Sequence, residues 1–490
     1  MRLPLPSLFA HAVPSQRPAG ASRSALTAVA VAALLVLGGC AVGPTYQRPE
    51  APVPAAFKEQ GPWVTAAPAD ALDRGPWWTL FNDPELNALA AQVEVSNQNV
   101  AAAVASYAQA RALLAQQRAA MFPTVGLNLG ANRSGGEGSS AGTRSSYQLS
   151  IGASWEPDVW GRLGQAAQGA QAAAAASAAD LASARLSAQG ELVAAYVALR
   201  QTDVQRALLA QTIEGYERSR HIAQNRYDAG IAPRTDVLQA ETQLANTRAD
   251  DLTLSRQRAQ SEHAIAVLTG RAPAALSLPA QAQWRPTVPA VPVVLPSDLL
   301  QRRPDIAARE RRVAVANAQV GVAQAAYYPS IGLSASVGTN GPRIEDLLSP
   351  SHLVWALGAS LAQSLFNAGA TTARVDAARA ALDLAAAQYR QTVLAAFQDV
   401  ENQLVAARVL RAQQALREQA SRAADEVEQQ QLNRYQAGQV SFTEVITAQA
   451  AARSARRALV QLQADRQTAA VALIQALGGG WQVPTAPVSP

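Results

Sequence analysis

Residue types that carry catalysis are few and scattered along these 490 residues. Four histidines, His11, His221, His263 and His352, stand far apart, and no HExxH, Walker loop, GxSxG or Cys/His metal spacing occurs. The acids lie spread along stretches of helical period, where solvation or i,i+4 pairing is their ordinary use. The expectation is therefore no enzyme, no metal and no cofactor beyond a covalent lipid. Nothing here binds nucleotide, so energy must come from a partner. Polar chemistry does recur in one place. Residues 225–241, NRYDAGIAPRTDVLQAE, return at 433–449 as NRYQAGQVSFTEVITAQ, with eight of 17 positions identical and Asp236 answered by Glu444. The spacing is 208 residues, and FPTVGL at 122–127 returns as YPSIGL at 328–333. Echoes this far apart exceed a solenoid repeat and imply one structural unit built twice.

The lone cysteine has its own chemistry. Arg2, Arg17 and Arg23 precede an apolar run from Ala25 to Leu37, with no acid before Glu50. This reads as a secretory signal peptide, and the run is short for a bilayer span. It ends Leu37-Gly38-Gly39-Cys40, which resembles a bacterial lipobox: cleavage would leave Cys40 N-terminal and its thiol would take a diacylglycerol. Ala41 in place of an Asp points to the outer membrane. Buried acyl carbons contribute about 0.8 kcal/mol each, so several chains anchor durably. With Cys40 lipidated, no thiol remains for a disulfide.

Removing residues 1–39 takes three Arg and no acid from a formal net charge of +5, leaving +2. No basic cluster with interleaved aromatics exists, so nucleic acid is not an expected partner. Aromatics make up 5 % of the chain, while Ala and Gln are abundant. That composition favours long helices packed through small side chains.

The elements follow from period and punctuation. Residues 40–76 are Pro-rich and aperiodic, an extended tether. Asp83-Pro84-Glu85 opens a helix that runs to about Met121 with a break near Ser96-Asn97. Val125, Leu127, Leu129 and Ala131 then alternate with small or polar residues, as do Tyr147 to Trp155 beyond the loop 134–146. Ile331 to Val337 and Leu353 to Leu361 repeat the pattern around a loop at 338–350. Each strand is apolar on one face and small-polar on the other, which fits a transmembrane β-strand and equally a half-buried soluble hairpin. Long Pro-free stretches, 163–228 and 370–437, turn at Ala229-Gly230 and Ala437-Gly438 and return over about 235–269 and 441–477 as coiled-coil hairpins. The chain thus divides into signal peptide 1–39, tether 40–76, first repeat 77–270, linker 271–296, second repeat 297–481 and tail 482–490. The β-hairpins span about 123–155 and 329–363, and the coiled-coil hairpins about 163–269 and 370–477. Ser297-Asp298 caps a helix that restarts at Arg303-Pro304-Asp305. Four membrane strands cannot close a barrel, and lipid does not tolerate an open edge. Closure needs several copies, and the Gly, Ser, Asn and Thr faces suit an open lumen, so twelve or more strands are expected, continued by a hollow helical barrel.

Seven segments in order resemble the outer membrane factor family of tripartite exporters, the TolC/OprM-like (NodT-type) channels. They are CAVGPTY from Cys40, WTLFNDPEL from Trp78, WEPDVWGR from Trp155, RYDAG from Arg226, LPSDLLQRRPDI from Leu295, RYQAG from Arg434 and LGGGW from Leu477. The resemblance covers nearly the whole mature chain. It implies a mixed α/β membrane protein: a homotrimer with a 12-stranded barrel in outer-membrane lipid and a periplasmic α-helical barrel. It also implies a periplasmic adaptor and an inner-membrane pump, of RND type by family analogy, as partners.

Carried over by position, the family's gate implies that Tyr435 bonds Asp236 beside Thr235. The aperture acids map to Glu444, which keeps its charge, and to Thr447, which does not. An Arg of some relatives aligns with Val440, so fewer charged locks are expected. Tips Gly230-Ile231 and Gly438-Gln439 resemble adaptor-docking turns. A ring of Glu444 would favour cations. Two other readings stay open: an exit duct for protein secretion, and a structural periplasmic coiled-coil lipoprotein. A passive porin would not need such long helices.

Overall fold

The computed structural model describes residues 42–59, 75–135, 143–289 and 302–479. Cys40 and the signal segment, Ser297-Asp298 and the tail 482–490 lie outside the described residues, as do parts of the tether and linker. The chain is mostly helical with one small sheet, and it forms two compact units. No described helix is long and apolar enough to cross a membrane.

One unit holds residues 121–164 and 324–365 together with the first described residues, 42–43. Its strands are β1 (Thr124–Ser134), β2 (Arg144–Trp155), β3 (Ser330–Gly341) and β4 (Leu353–Ala362), ordered β1-β2-β3-β4 with every neighbouring pair antiparallel. The register sorts the side chains by type. Leu127 pairs Ile151, Ile151 pairs Val337, and Val337 pairs Trp355. One residue along, Asn128 pairs Ser150 and Ser150 pairs Gly338. Period-2 alternation in four aligned strands therefore gives one apolar face and one small-polar face. The apolar face is open, with Leu129 74 % and Trp355 72 % exposed. Among the described residues, β1 and β4 have no strand partner on their outer edges. β3 runs on through Gly338–Gly341, where the apolar pattern stops and a loop was expected. Its last residues are held by pairing with Gln148 and Tyr147, and Thr339 Oγ1 donates to Leu347 O at 2.8 Å.

The other unit holds residues 44–120, 165–323 and 366–479 among those described. Its helices, with the first residues of α3 shared with the sheet unit, are α1 (Pro84–Ser96), α2 (Gln98–Ala119), α3 (Arg162–Asp228), α4 (Arg234–Leu268), α5 (Pro304–Ala325), α6 (Ala370–Gln436) and α7 (Phe442–Ala476). Asp83 caps α1 by accepting from the Glu85 and Leu86 amides at 3.0 and 3.2 Å. Asn97 explains the break that follows. Its Oδ1 accepts from the Asn99 and Val100 amides, which starts α2, while its Nδ2 donates to Leu268 O at 2.8 Å. The α3 and α6 helices are 67 residues each, on the order of 100 Å at 1.5 Å per residue.

Trp77, Trp78, Phe81, Leu86, Leu192, Val193 and Ile265 form the main core. Beside it Arg200 is fully buried, bonding Glu85 at 2.5 Å and Asp203 at 2.8 Å, and Arg258 also reaches Asp203 at 2.7 Å. The tether differs from the expected loose spacer. Residues 44–59 carry no helix or strand, yet Tyr46 donates to Glu310, Asn317 donates to Pro44 O, and buried Phe57 meets Phe397 edge-on at 6.3 Å. Aromatic residues spaced through a Pro-rich run were the signal for this docking.

Candidate functional site

The site is built where α3 turns into α4 and where α6 turns into α7. Both turns end the same way. The Ile231 amide donates to Arg226 O at 2.8 Å and the Gly230 amide to Tyr227 O at 2.9 Å; Gln439 to Arg434 O and Gly438 to Tyr435 O repeat this at 2.9 and 3.0 Å. These are Schellman caps, and they need a left-handed residue, supplied by Gly230 at φ 71° and Gly438 at φ 73°. The returning helices start on Arg234 and Phe442, so Asp236 and Glu444 both fall in a first turn, where the helix dipole favours an acid.

The equivalence then breaks. Tyr435 is 3 % exposed and its hydroxyl donates to Asp236 Oδ2 at 3.3 Å. Its ring lies tilted on Phe442 at 5.1 Å, within a cluster that includes Ala240 and Val445. Arg226 covers the same ring at 4.8 Å, and its Nη1 donates to Tyr435 O at 3.0 Å and Gln436 O at 3.4 Å. One guanidinium thus caps the end of α6 and sits on the aromatic face it holds. Burial first, then the Asp236 charge, pushes the Tyr435 hydroxyl up to about 12, against a smaller opposing effect of Arg226. It remains a neutral donor near neutral pH.

The other residues singled out in the sequence are placed less closely. Thr235 neighbours Asp236 in the chain but is exposed. Glu444 and Thr447 are exposed on α7, and Thr447 Oγ1 donates to Thr443 O at 2.8 Å. Gly230, Ile231, Gly438 and Gln439 are all exposed, and a side chain at Gly230 would meet no other atom within 4 Å. Val440 carries no charge, but the other half-repeat supplies Arg226 from across the contact. The repeated Asn-Arg-Tyr triplet was its signal. Among the described residues, no group of His, Cys, Asp and Glu is arranged to hold a metal ion.

The family model for Outer membrane efflux protein matches residues 82–271 and 295–479. Among curated relatives, the probable efflux pump outer membrane protein TtgC of Pseudomonas putida is 31 % identical over 465 residues, spanning 93 % of this chain and 96 % of its own. The pyoverdine export outer membrane protein OpmQ of Pseudomonas aeruginosa is 32 % identical over 468 residues, spanning 92 % and 96 %. Among solved structures, the outer-membrane channel OprN superposes with a TM-score of 0.79 at 31 % identity, covering 90 % of this chain and all of that one.

Proposed function

Because this chain belongs to the outer membrane efflux protein family, we propose that its working form is a ring of three copies. It is an outer-membrane efflux component that extends into the periplasm. In the proposed ring, twelve strands close a barrel and the long helices line a periplasmic duct. One observation carries this reading. Over most of its length the sheet sets an apolar face against a small-polar face, and among the described residues it has two unpaired edges, which lipid does not tolerate. Joining β4 of one copy to β1 of the next removes both edges and turns Gly126, Asn128, Ser150 and Gly338 toward a wet lumen. Family membership supports three copies over two.

The duct conducts small molecules passively, handed on by a periplasmic adaptor and an inner-membrane pump driven by protons. The Asp236–Tyr435 bond, with Arg226 above it, latches the helical tips inward. Thr235 flanks the latch, and Glu444 with Thr447 faces the narrowed opening. The turns at Gly230-Ile231 and Gly438-Gln439 meet the adaptor. Cys40, with its lipid, fixes the chain to the membrane. The fold and family are those of a channel, not an enzyme.

The experiment is deletion and return of the gene with a fluorescent dye as cargo. Loss of dye efflux on deletion, restored by the wild-type chain, supports the reading. Unchanged efflux, together with purified protein that conducts nothing in planar bilayers, leaves a structural coiled coil instead.

A further inference from the structure

Two copies of one motif lie in this chain, and only one finds its partner in it. The hairpin of α3 and α4 offers Arg226 and Asp236 as the two sides of a slot, and Tyr435 from the hairpin of α6 and α7 fills that slot. Moving each residue by the 208-residue repeat gives a second slot, Arg434 and Glu444 on the α6–α7 hairpin, and a second plug, Tyr227 on α3. Residue types are kept at every position: guanidinium, carboxylate and phenol. Yet Tyr227 is 41 % exposed, Arg434 and Glu444 are exposed, and among the described residues none of the three side chains makes a hydrogen bond or ion pair. Within the chain the two hairpins meet through the first pair, and the second plug and slot stay unjoined.

We infer that Tyr227 of one copy enters the Arg434–Glu444 slot of the next copy. This rests on the ring proposed above and identifies the contact between its members. The interface is heterologous, with a plug on one hairpin and a slot on the other, which is the kind that closes into a ring when the rotation allows. Six hairpins from three copies then alternate around the tips, joined in turn by a Tyr435 latch within a chain and a Tyr227 latch between chains. The phenol donates to one oxygen of Glu444 and leaves the other free to face the opening, since a carboxylate accepts at both.

The two latches differ in what surrounds them. Phe442 lies on Tyr435, but the repeat places Arg234 at the matching position beside Tyr227. Ile222 and Leu432, which pack on the first cluster, become Gln430 and Gln224 around the second. The contact between chains is therefore the wetter and weaker of the two, and it parts more readily when the tips separate.

The test is cross-linking of the full protein in detergent with a bismaleimide short enough to span the reach of a phenol to a carboxylate. The double variant Tyr227→Cys with Glu444→Cys should give covalent dimers and trimers on denaturing gels, on the order of tenfold more than either single variant, because held thiols meet far above their bulk concentration. Tyr435→Cys with Asp236→Cys should give a link within one chain and no ladder. A double variant that stays monomeric on denaturing gels, while native mass shows three copies, overturns the inference and leaves the ring standing. A ladder of equal strength from Tyr227→Cys alone also overturns it. Native mass of a single chain removes the ring and the inference with it.

Discussion

Replacing Tyr435 with Phe should loosen the closed tips without unfolding them. The ring stays: its tilted contact with Phe442 and the Arg226 guanidinium above it involve no hydroxyl. Only the bond to Asp236 is lost. A hydrogen bond to a charged acceptor is worth roughly 1.5–3 kcal/mol, and at 3.3 Å this one belongs below that range, about 1 kcal/mol. Three such bonds in a ring that opens as a unit sum to about 3 kcal/mol. At about 1.4 kcal/mol per tenfold, the closed-to-open ratio falls roughly a hundredfold. If the tips open one at a time, the same loss shifts each by only about fivefold. Single-channel recording in planar bilayers reads both: the open fraction rises, and intermediate levels separate the two modes. An unchanged open fraction, with the variant still assembled, would refute the latch.

Leu127→Arg should prevent membrane assembly, because an arginine on the lipid face costs about 2–4 kcal/mol at mid-depth, whereas Asn128→Arg one residue along should assemble normally; heat-modifiable bands from membrane fractions distinguish them. Arg200→Ala should lower stability by about 3 kcal/mol, since it leaves buried Asp203 with Arg258 as its remaining cation, and thermal unfolding measures this. Gly438→Val places a branched side chain at φ 73°, a strain of about 1–2 kcal/mol that assembly withstands, but dye efflux in cells should stop; efflux at normal protein level counts against tip docking. The Tyr435 hydroxyl is raised from 10.0 to about 12, so its share of stability is complete below pH 10 and is lost as pH climbs toward 12; the alkaline fall in thermal midpoint should be shallower in Tyr435→Phe.

Period carries much of this fold. Alternation at 125–131 and 331–337 marks strands because the pleat puts every second side chain on one face, and Gly230 and Gly438 mark the turns because only a left-handed residue ends a helix in that way. Boundaries are legible where local chemistry sets them, as at Asp83 and Asn97. They are not legible where pairing does, as in Gly338–Gly341, which continues as strand because β2 is there to receive it. The tether's docking through Tyr46 and Phe57 is tertiary and leaves no period. At the site, the repeat exposes Asp236, Glu444 and both tyrosines but is blind to its own asymmetry. Which tyrosine is buried, and that Arg226 covers it, depends on how the two hairpins meet.

The central claim is that a four-stranded sheet with two bare edges closes only across copies. The native mass of the protein extracted from outer membranes tests it most directly. A mass of three processed chains is predicted, and a single chain holding its sheet in lipid would contradict it.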